Sequence, residues 1–247
     1  MEITARLDDS IGWININRPS ARNALSRQMW DALPSALASL QREGARVVIF
    51  RGEGDCFSAG ADLTELAELN TVEAAREHWG SIRNALNAVA TFELPTIAMI
   101  IGSCMGGGCL LACACDMRFC DASARFSIPV AQLGITLDED NLARLINVVG
   151  RGAASELLFT AGTISSGHAE AMGLVNSVVP MPQLEKLITG IATDIKRNSP
   201  ASIIQTKRAM AQICQRGRVE EDQASVVASY LSDEFRQRIG KALSRKS

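Results

Sequence analysis

The sequence has almost no excess charge of either sign. Its 25 Lys and Arg stand against 27 Asp and Glu, a formal net charge of -2. No broad basic field exists to attract a phosphate backbone, so nucleic-acid partners are not expected. The one local basic cluster, Lys241, Arg245 and Lys246, lies at the tail and reads as a solvated helix end. No apolar run approaches the roughly 20 residues that cross a bilayer, so no membrane association is expected. Met1-Glu2-Ile3-Thr4 has no basic segment leading into an apolar core, so a signal peptide is not expected either. Low-complexity segments and residue-level repeats are lacking. Histidine is scarce: His78 and His168 are the 2 in the chain, and both read as surface or packing residues. These absences together point to a cytoplasmic location.

What is present is a globular composition. Hydrophobic residues make up 47% and charged residues 21% of 247 positions, which excludes disordered, collagenous and coiled-coil classes. The length suffices for one sizeable domain, or one domain with an appendage. Of the 7 cysteines, Cys109, Cys113, Cys115 and Cys120 fall close together. They sit in a run of Ala, Leu and Met that reads as a buried helix. Thiolate ligands at metal-site spacing with a turn between them are not seen, so small core residues in a reducing compartment is the reading, with no metal expected.

The periodicities alternate between strand and helix. Ile11 to Asn17 alternates apolar and polar residues as a half-buried strand does. Ser26 offers an N-cap to a helix through Met29, Trp30, Leu33, Leu37 and Leu40, with Pro34 as a kink site. Val47 to Phe50 reads as a buried strand. A helical pattern spans about Thr71 to Thr91, and Pro95 opens a strand from Thr96 to Ile101. Met117 to Cys120 and Arg125 to Ile128 look like further short strands. Helices are read over Leu142 to Val149, stopped by Gly150, and over Ala153 to Phe159. Ser166 is expected to cap a helix holding His168, which Gly173 ends. Val175 to Val179 reads as a strand. After Pro182 strand signals vanish, and helical patterns run over 184–195, 201–213 and 219–230, with a last short helix near Phe235. The expected organisation is an α/β body over 1–182 with parallel strand pairing, then a helical part over 183–247.

Two glycine-rich loops carry the chemistry. Each ends a strand and starts a helix: Gly52 to Leu63, and Gly102 to Cys109. A helix N-terminus leaves backbone N–H groups unpaired and carries partial positive charge, and glycine lets a ligand approach that backbone closely. Two such loops facing one pocket would form an oxyanion hole, where the loss of one donor costs about 3 kcal/mol of barrier. Taken singly, each loop is better explained by tight turns and close helix packing. Neither is followed by the Gly-Lys-Ser/Thr of a P-loop, and Gly102, Gly106 and Gly108 lack dinucleotide-fingerprint spacing.

Several ordered segments resemble the crotonase (enoyl-CoA hydratase/isomerase) superfamily. They are Asn15-Ile16-Asn17-Arg18-Pro19, Arg22-Asn23-Ala24-Leu25, Phe57-Ser58-Ala59-Gly60-Ala61-Asp62-Leu63, Gly106-Gly107-Gly108-Cys109 and Cys115-Asp116. Arg125-Phe126, Leu133-Gly134, Gly162, Ala169, Gly173-Leu174-Val175 and Ser199-Pro200-Ala201 with Lys207 continue the likeness in the same order. The resemblance implies a spiral of repeated ββα turns and a C-terminal helical trimerisation region. It implies acyl-CoA thioesters as substrates, with coenzyme A arriving as part of the substrate and no permanently bound cofactor. It implies a homotrimer or a dimer of trimers. By likeness, the N–H groups of Ala61 and Gly107 would hold the thioester oxygen. The backbone around Ala59, Gly60, Asp62 and Leu63, with Arg22 and Ala24, would hold the CoA moiety, and Lys207 would reach a CoA phosphate. Arg22 and Lys207 read equally well as ordinary solvated cations.

The sequence departs from the hydratase pattern at its acid/base positions. Where similar hydratases carry two glutamates, this chain has Leu110 and Val130, and neither side chain transfers a proton. Both then become candidates for the walls of the acyl site. Close by runs Asp138-Glu139-Asp140. Asp138 falls where several relatives carry a functional acid, and Glu139 is a second candidate. A carboxylate in a partly buried pocket is expected to have a raised pKa, suited to base work. The same three residues also make a good helix N-terminus. Isomerisation of an enoyl-CoA double bond is the favoured reaction, because one mobile carboxylate suffices. Nonstandard hydration, thioester hydrolysis, decarboxylation and a non-catalytic CoA-binding protein are the alternatives. An RNA-binding relative conflicts with the acidic balance.

Overall fold

A computed structural model describes residues 2–216, with strands and helices alternating along the first 180 residues or so. The chain opens with a hairpin, β1 (Ile3–Asp8) and β2 (Ile11–Ile16). Its two-residue turn, Asp9 and Ser10, has positive φ at both positions (45° and 63°), the backbone twist that suits a tight hairpin. Helix α1 (Arg27–Arg42) follows, capped by Ser26, whose hydroxyl accepts from Met29 N at 3.3 Å, and it continues through Pro34. Next come β3 (Val47–Gly52), α2 (Leu63–Ala67), α3 (Val72–Ala90) and β4 (Thr96–Ile100). Then follow β5 (Ser103–Met105), α4 (Gly107–Ala114), β6 (Met117–Asp121), β7 (Arg125–Ser127) and α5 (Val130–Leu133).

Helix α6 (Glu139–Thr160) contains one non-helical residue, Gly150, at φ 76° and ψ 164°. The stop read at Gly150 is thus a break between two helical stretches. β8 (Ile164–Ser165), α7 (Ser166–Ala171) and β9 (Ser177–Val179) close the α/β part. Ser165 rather than Ser166 caps α7, accepting from His168 N at 3.3 Å. Helices α8 (Met181–Arg197) and α9 (Pro200–Arg216) complete the described chain. The helices read over 219–230 and near Phe235 lie outside the described residues.

The strands form two sheets. The larger has the order β1-β2-β3-β4-β6-β9, parallel throughout except for the β1–β2 hairpin. The smaller has the order β5-β7-β8. Twice a strand of the larger sheet is followed by one of the smaller sheet and then a helix: β4 then β5 then α4, and β6 then β7 then α5. This is the ββα winding that the resemblance implies.

Side chains alternate across the large sheet. One face presents Ile11, Trp13, Val47, Ile49, Ile97, Met99 and Phe119, which cluster with Leu184, Ile188 and Ala192 of α8. Gly12 belongs to the other face, where an added Cβ would meet Leu40 of α1 at 2.9 Å.

The chain divides into two compact units, residues 1–196 and 197–247. The first extends past the boundary expected at 182, because the apolar stripe of α8 is part of the sheet core. The second unit begins at Arg197 and contains α9. No helix among the described residues is long and apolar enough to cross a membrane.

Candidate active site

The site is built where three chain segments are tied edge to edge. Arg18 to Leu25 leaves β2 through a single 3-10 turn at Pro19–Ala21. Arg22 and Asn23 then take left-handed conformations (φ 52° and 56°). Asn23 is fully buried and pins this segment to the first glycine loop. Its Nδ2 donates to Glu53 O at 2.9 Å and Cys56 O at 2.6 Å, and its Oδ1 accepts from Arg18 N at 2.9 Å. Ser58, also fully buried, donates through Oγ to Asn23 O at 2.8 Å. Ser58 then joins the second glycine loop through a parallel bridge to Cys104, with Ser58 N donating to Ser103 O and Met105 N to Ser58 O, both at 2.9 Å.

The orientation of Ala61 follows from a second bridge. Leu25 N donates to Gly60 O at 2.7 Å, and Asp62 N donates to Leu25 O at 3.1 Å. The C=O and N–H of a trans peptide point in opposite directions. Since Gly60 O is turned to Leu25, the Ala61 N–H is turned away from it. The second glycine loop lies close by. A Cβ added to Gly60 would stand 3.2 Å from Gly107 N, and one added to Gly107 would stand 3.4 Å from Ala61 N. The amides of Ala61 and Gly107 therefore neighbour one another, although 46 positions separate them (107 less 61).

Glycine is required on both sides of this approach. Gly60 has φ +99°, and its added Cβ would lie 2.7 Å from Met105 O. Gly106 has φ +48°, and its N–H donates to Ser127 O at 2.7 Å. Gly107 is the first residue of α4, so its N–H has no acceptor within the helix. Trp30, fully buried, backs Gly107 closely: the added Cβ would meet its Cζ2 at 3.0 Å. Two adjacent N–H groups, one at a helix N-terminus, can stabilise a developing oxyanion.

Several of the expected binding residues belong to the same tied loops. The Ala59 N–H donates to Arg22 O at 2.9 Å, and Arg22 Nη2 donates to Ser103 Oγ at 2.7 Å. Ala24 lies within this loop, its carbonyl accepting from Arg18 Nη1 at 3.3 Å. Asp62 caps α2, and Leu63 is its exposed first residue. The Arg18 bond, then the Thr64 N–H, hold the Asp62 carboxyl below the usual aspartate range. Leu110 is buried in α4, and Val130 begins α5 beside Pro129, whose Cδ lies 4.0 Å from a Cβ added to Gly106. Lys207 lies on α9 in the second unit.

Asp138 is the N-cap of α6. Its Oδ1 accepts from Asn141 N at 3.0 Å, and its Oδ2 accepts from Asn141 Nδ2 at 2.7 Å and Trp79 Nε1 at 3.4 Å. Burial pushes this carboxyl up, but the Asn141 backbone and side-chain bonds and the Trp79 bond outweigh it. Asp138 thus titrates below the ordinary aspartate value. The raised pKa expected from partial burial is corrected by these donors, which stabilise the charged form. Glu139 and Asp140 occupy the first turn of α6, and Asp140 pairs with Arg83 of α3 at 3.2 Å. Helix α4, which presents Gly107, contacts both α3 and α6.

Sequence reasoning missed several builders of the site. Arg18, Asn23 and Ser58 lie inside the quoted segments, but their roles come from contacts across 30 to 44 positions. Trp79 as the neighbour of Asp138 left no local signal. His78 is buried, as a packing residue would be; burial lowers its pKa, and its Nε2 has no hydrogen-bond partner among the described residues. Six cysteines are buried, and thiol hydrogen bonds link Cys104, Cys109 and Cys113.

The family model described as enoyl-CoA hydratase/isomerase matches residues 6–241. The chain is 34% identical over 206 residues to a short-chain-enoyl-CoA hydratase of Clostridium acetobutylicum, covering 82% of this chain and 78% of that protein. It is 36% identical over 221 residues to a peroxisomal Δ(3,5)-Δ(2,4)-dienoyl-CoA isomerase of Arabidopsis thaliana, covering 84% and 80%. Among solved structures, an enoyl-CoA hydratase/isomerase family protein from Hyphomonas neptunium superposes with a TM-score of 0.94 at 29% identity, covering 99% of this chain and 95% of that one. An enoyl-CoA hydratase from Bacillus anthracis gives a TM-score of 0.91 at 30% identity, covering 100% and 97%.

Proposed function

Because the chain belongs to the enoyl-CoA hydratase/isomerase family, we propose that it binds an acyl-CoA thioester with the carbonyl oxygen between the Ala61 and Gly107 N–H groups and moves a proton at C2. The observation that carries this reading is the adjacency of those two amides, brought together from distant chain segments. Removing the C2 proton sends charge onto the thioester oxygen, and two fixed donors lower the cost of that enolate. The CoA moiety runs along the Arg22–Ala24 and Ala59–Leu63 segments. Leu110 and Val130 supply apolar wall rather than acid and base. Asp138, with Glu139 as the second candidate, then carries the C2 proton to C4, and the favoured outcome is a shift of the double bond from C3–C4 to C2–C3. Lys207, a homotrimeric assembly and a cytoplasmic setting belong to the same reading.

One observation favours a second reading, a CoA-binding protein without proton transfer. The Asp138 carboxylate is occupied as the cap of α6, and its lowered pKa makes it a weak base.

The test offers the purified protein 2-enoyl-, 3-enoyl- and 3-hydroxyacyl-CoA thioesters in deuterium oxide. Products are separated by chromatography, and deuterium at C2 and at C4 is counted by mass spectrometry. Conversion of 3-enoyl to 2-enoyl thioester, with deuterium at C4 wherever solvent protonates the dienolate, supports the isomerase reading. Binding without turnover or exchange supports the second. Asp138→Asn with unchanged turnover removes Asp138 from the mechanism.

A further inference from the structure

We propose that Arg18 is a positioning residue for the Ala61 N–H, acting through Asp62, and that this pair sets how strongly the hole holds an oxyanion. The inference rests on the acyl-CoA reading above.

The Gly60–Ala61 peptide needs an external restraint. Gly60 has φ +99°, and a glycine on this flank leaves the peptide free to rotate. On one side it is held by the bond from Leu25 N to Gly60 O, 2.7 Å long. On the other side the chain continues into Asp62, so the rigidity of Asp62 limits the rotation of Ala61. The Asp62 backbone N–H is tied to Leu25 O, and its carboxylate has two anchors. Oδ1 accepts from Thr64 N at 2.9 Å, which starts α2, and Oδ2 accepts from Arg18 Nη1 at 2.5 Å.

Arg18 is itself held to the partner segment. Its backbone N–H donates to Asn23 Oδ1, and Nη1 also reaches Ala24 O at 3.3 Å. The guanidinium therefore joins Ala24 to Asp62, the neighbours of the bridged residues Leu25 and Ala61. It acts as a crosspiece beside the bridge. Asp62 is buried, and the Arg18 side chain is 27% exposed. A short charge-assisted bond in this setting is stronger than a solvated surface pair. Glu2, whose Oε1 lies 3.3 Å from Arg18 Nε, and Glu65 are the other charged groups acting on the guanidinium, both favouring its charged form.

The test reads the hole without turnover. The probe is acetoacetyl-CoA, whose C2–H bond breaks to release a proton to buffer while the electron pair spreads onto its two carbonyl oxygens. The enolate is followed by its near-ultraviolet absorbance as pH is varied. Bound to the wild-type protein, the thioester is expected to ionise at lower pH than in solution. In Arg18→Met the bound enolate should fall about tenfold at a given pH, one unit of apparent ionisation, with free CoA bound as before. Arg18→Lys should recover part of the loss, and Asp62→Asn should lower the enolate fraction of the bound probe as far as Arg18→Met does. An unchanged ionisation in Arg18→Met, with CoA still bound, overturns the latch. If that variant does not fold, an unshifted value in Arg18→Lys overturns it instead. A wild-type protein that binds the probe without favouring its enolate, or does not bind it, overturns the oxyanion-hole reading and the latch with it.

Discussion

The indole of Trp30 occupies the space that a side chain at Gly107 would need, with Cζ2 only 3.0 Å from the position of an added Cβ. The aromatic ring, fixed in the core end of α1, thereby enforces a bare backbone at the start of α4. Gly107→Ala is expected to force the ring or the helix start to shift, lowering stability by about 1–3 kcal/mol through overpacking. It is expected to lower turnover of an acyl-CoA thioester about a hundredfold by displacing one donor. Urea unfolding and initial rates measure the two effects separately. Full activity in the variant contradicts a role for this amide.

Asp138→Ala removes the cap of α6 and is expected to cost about 1 kcal/mol at neutral pH. The folded-state carboxyl titrates below its ordinary value, so its contribution is present above the unfolded-state pKa. That contribution fades as pH falls through the folded-state pKa. Chemical denaturation of wild type and variant should therefore show a gap near neutrality that closes in strong acid. A gap that widens on acidification contradicts the assigned direction.

Arg118 is buried and donates to three backbone carbonyls: Leu174 O at 2.8 Å, Cys115 O at 2.6 Å and Ala112 O at 3.3 Å. It ties the end of α4 and the start of β6 to the segment that leads to β9. Arg118→Met is expected to destabilise the protein by about 3 kcal/mol, because the carbonyls lose a charged donor and stay out of water. The measurement is the shift in urea midpoint at constant slope. A loss below about 0.5 kcal/mol would mean the carbonyls find other donors.

The cysteines should divide sharply in reactivity. Burial raises Cys104, a thiol hydrogen bond and then burial raise Cys109 and Cys113, and Cys120 is pushed up to about 12, chiefly by burial. Cys214 is exposed. Iodoacetamide at neutral pH is expected to modify Cys214 in the native protein and the other four only after denaturation. Peptide mapping after brief labelling checks this, and early modification of Cys109 or Cys113 contradicts it.

The parts of this fold that are legible in sequence are those decided locally. Ser26, the Val47–Phe50 run, Pro95 and Gly150 act through their own backbone neighbourhood, and the elements they mark stand close to where they were read. The hairpin strand β1 was invisible: its residues are mostly solvated, and its turn uses Asp9 and Ser10 rather than glycine. The second sheet was equally obscure, because β5 and β8 span three and two residues and carry no countable period. The ββα repetition lies in strand pairing, not in residue identity, which is why the sequence shows no repeat. The two glycine loops could be read as candidates for one pocket. Their meeting depends on the bridges Leu25–Ala61 and Ser58–Cys104, which join segments far apart in the chain. The direction of the Asp138 shift, by contrast, is mostly local: the lowering comes first from the Asn141 N–H and side chain three positions on and only then from Trp79, so the helix-cap reading of this segment implies it and partial burial alone does not.

The bond from Leu25 to the Gly60 carbonyl has an evolutionary corollary. The donor it orients at position 61 is main chain, so a codon change there alters the methyl group and, proline aside, leaves the N–H in place. Side chains at 110, 130 and 138 have no such protection, and one nucleotide can replace any of them. On the acyl-CoA reading proposed above, a scaffold of this kind keeps its anion-holding ability through mutational drift while the groups around it are exchanged, so new chemistry can be tried without rebuilding the grip on the ligand.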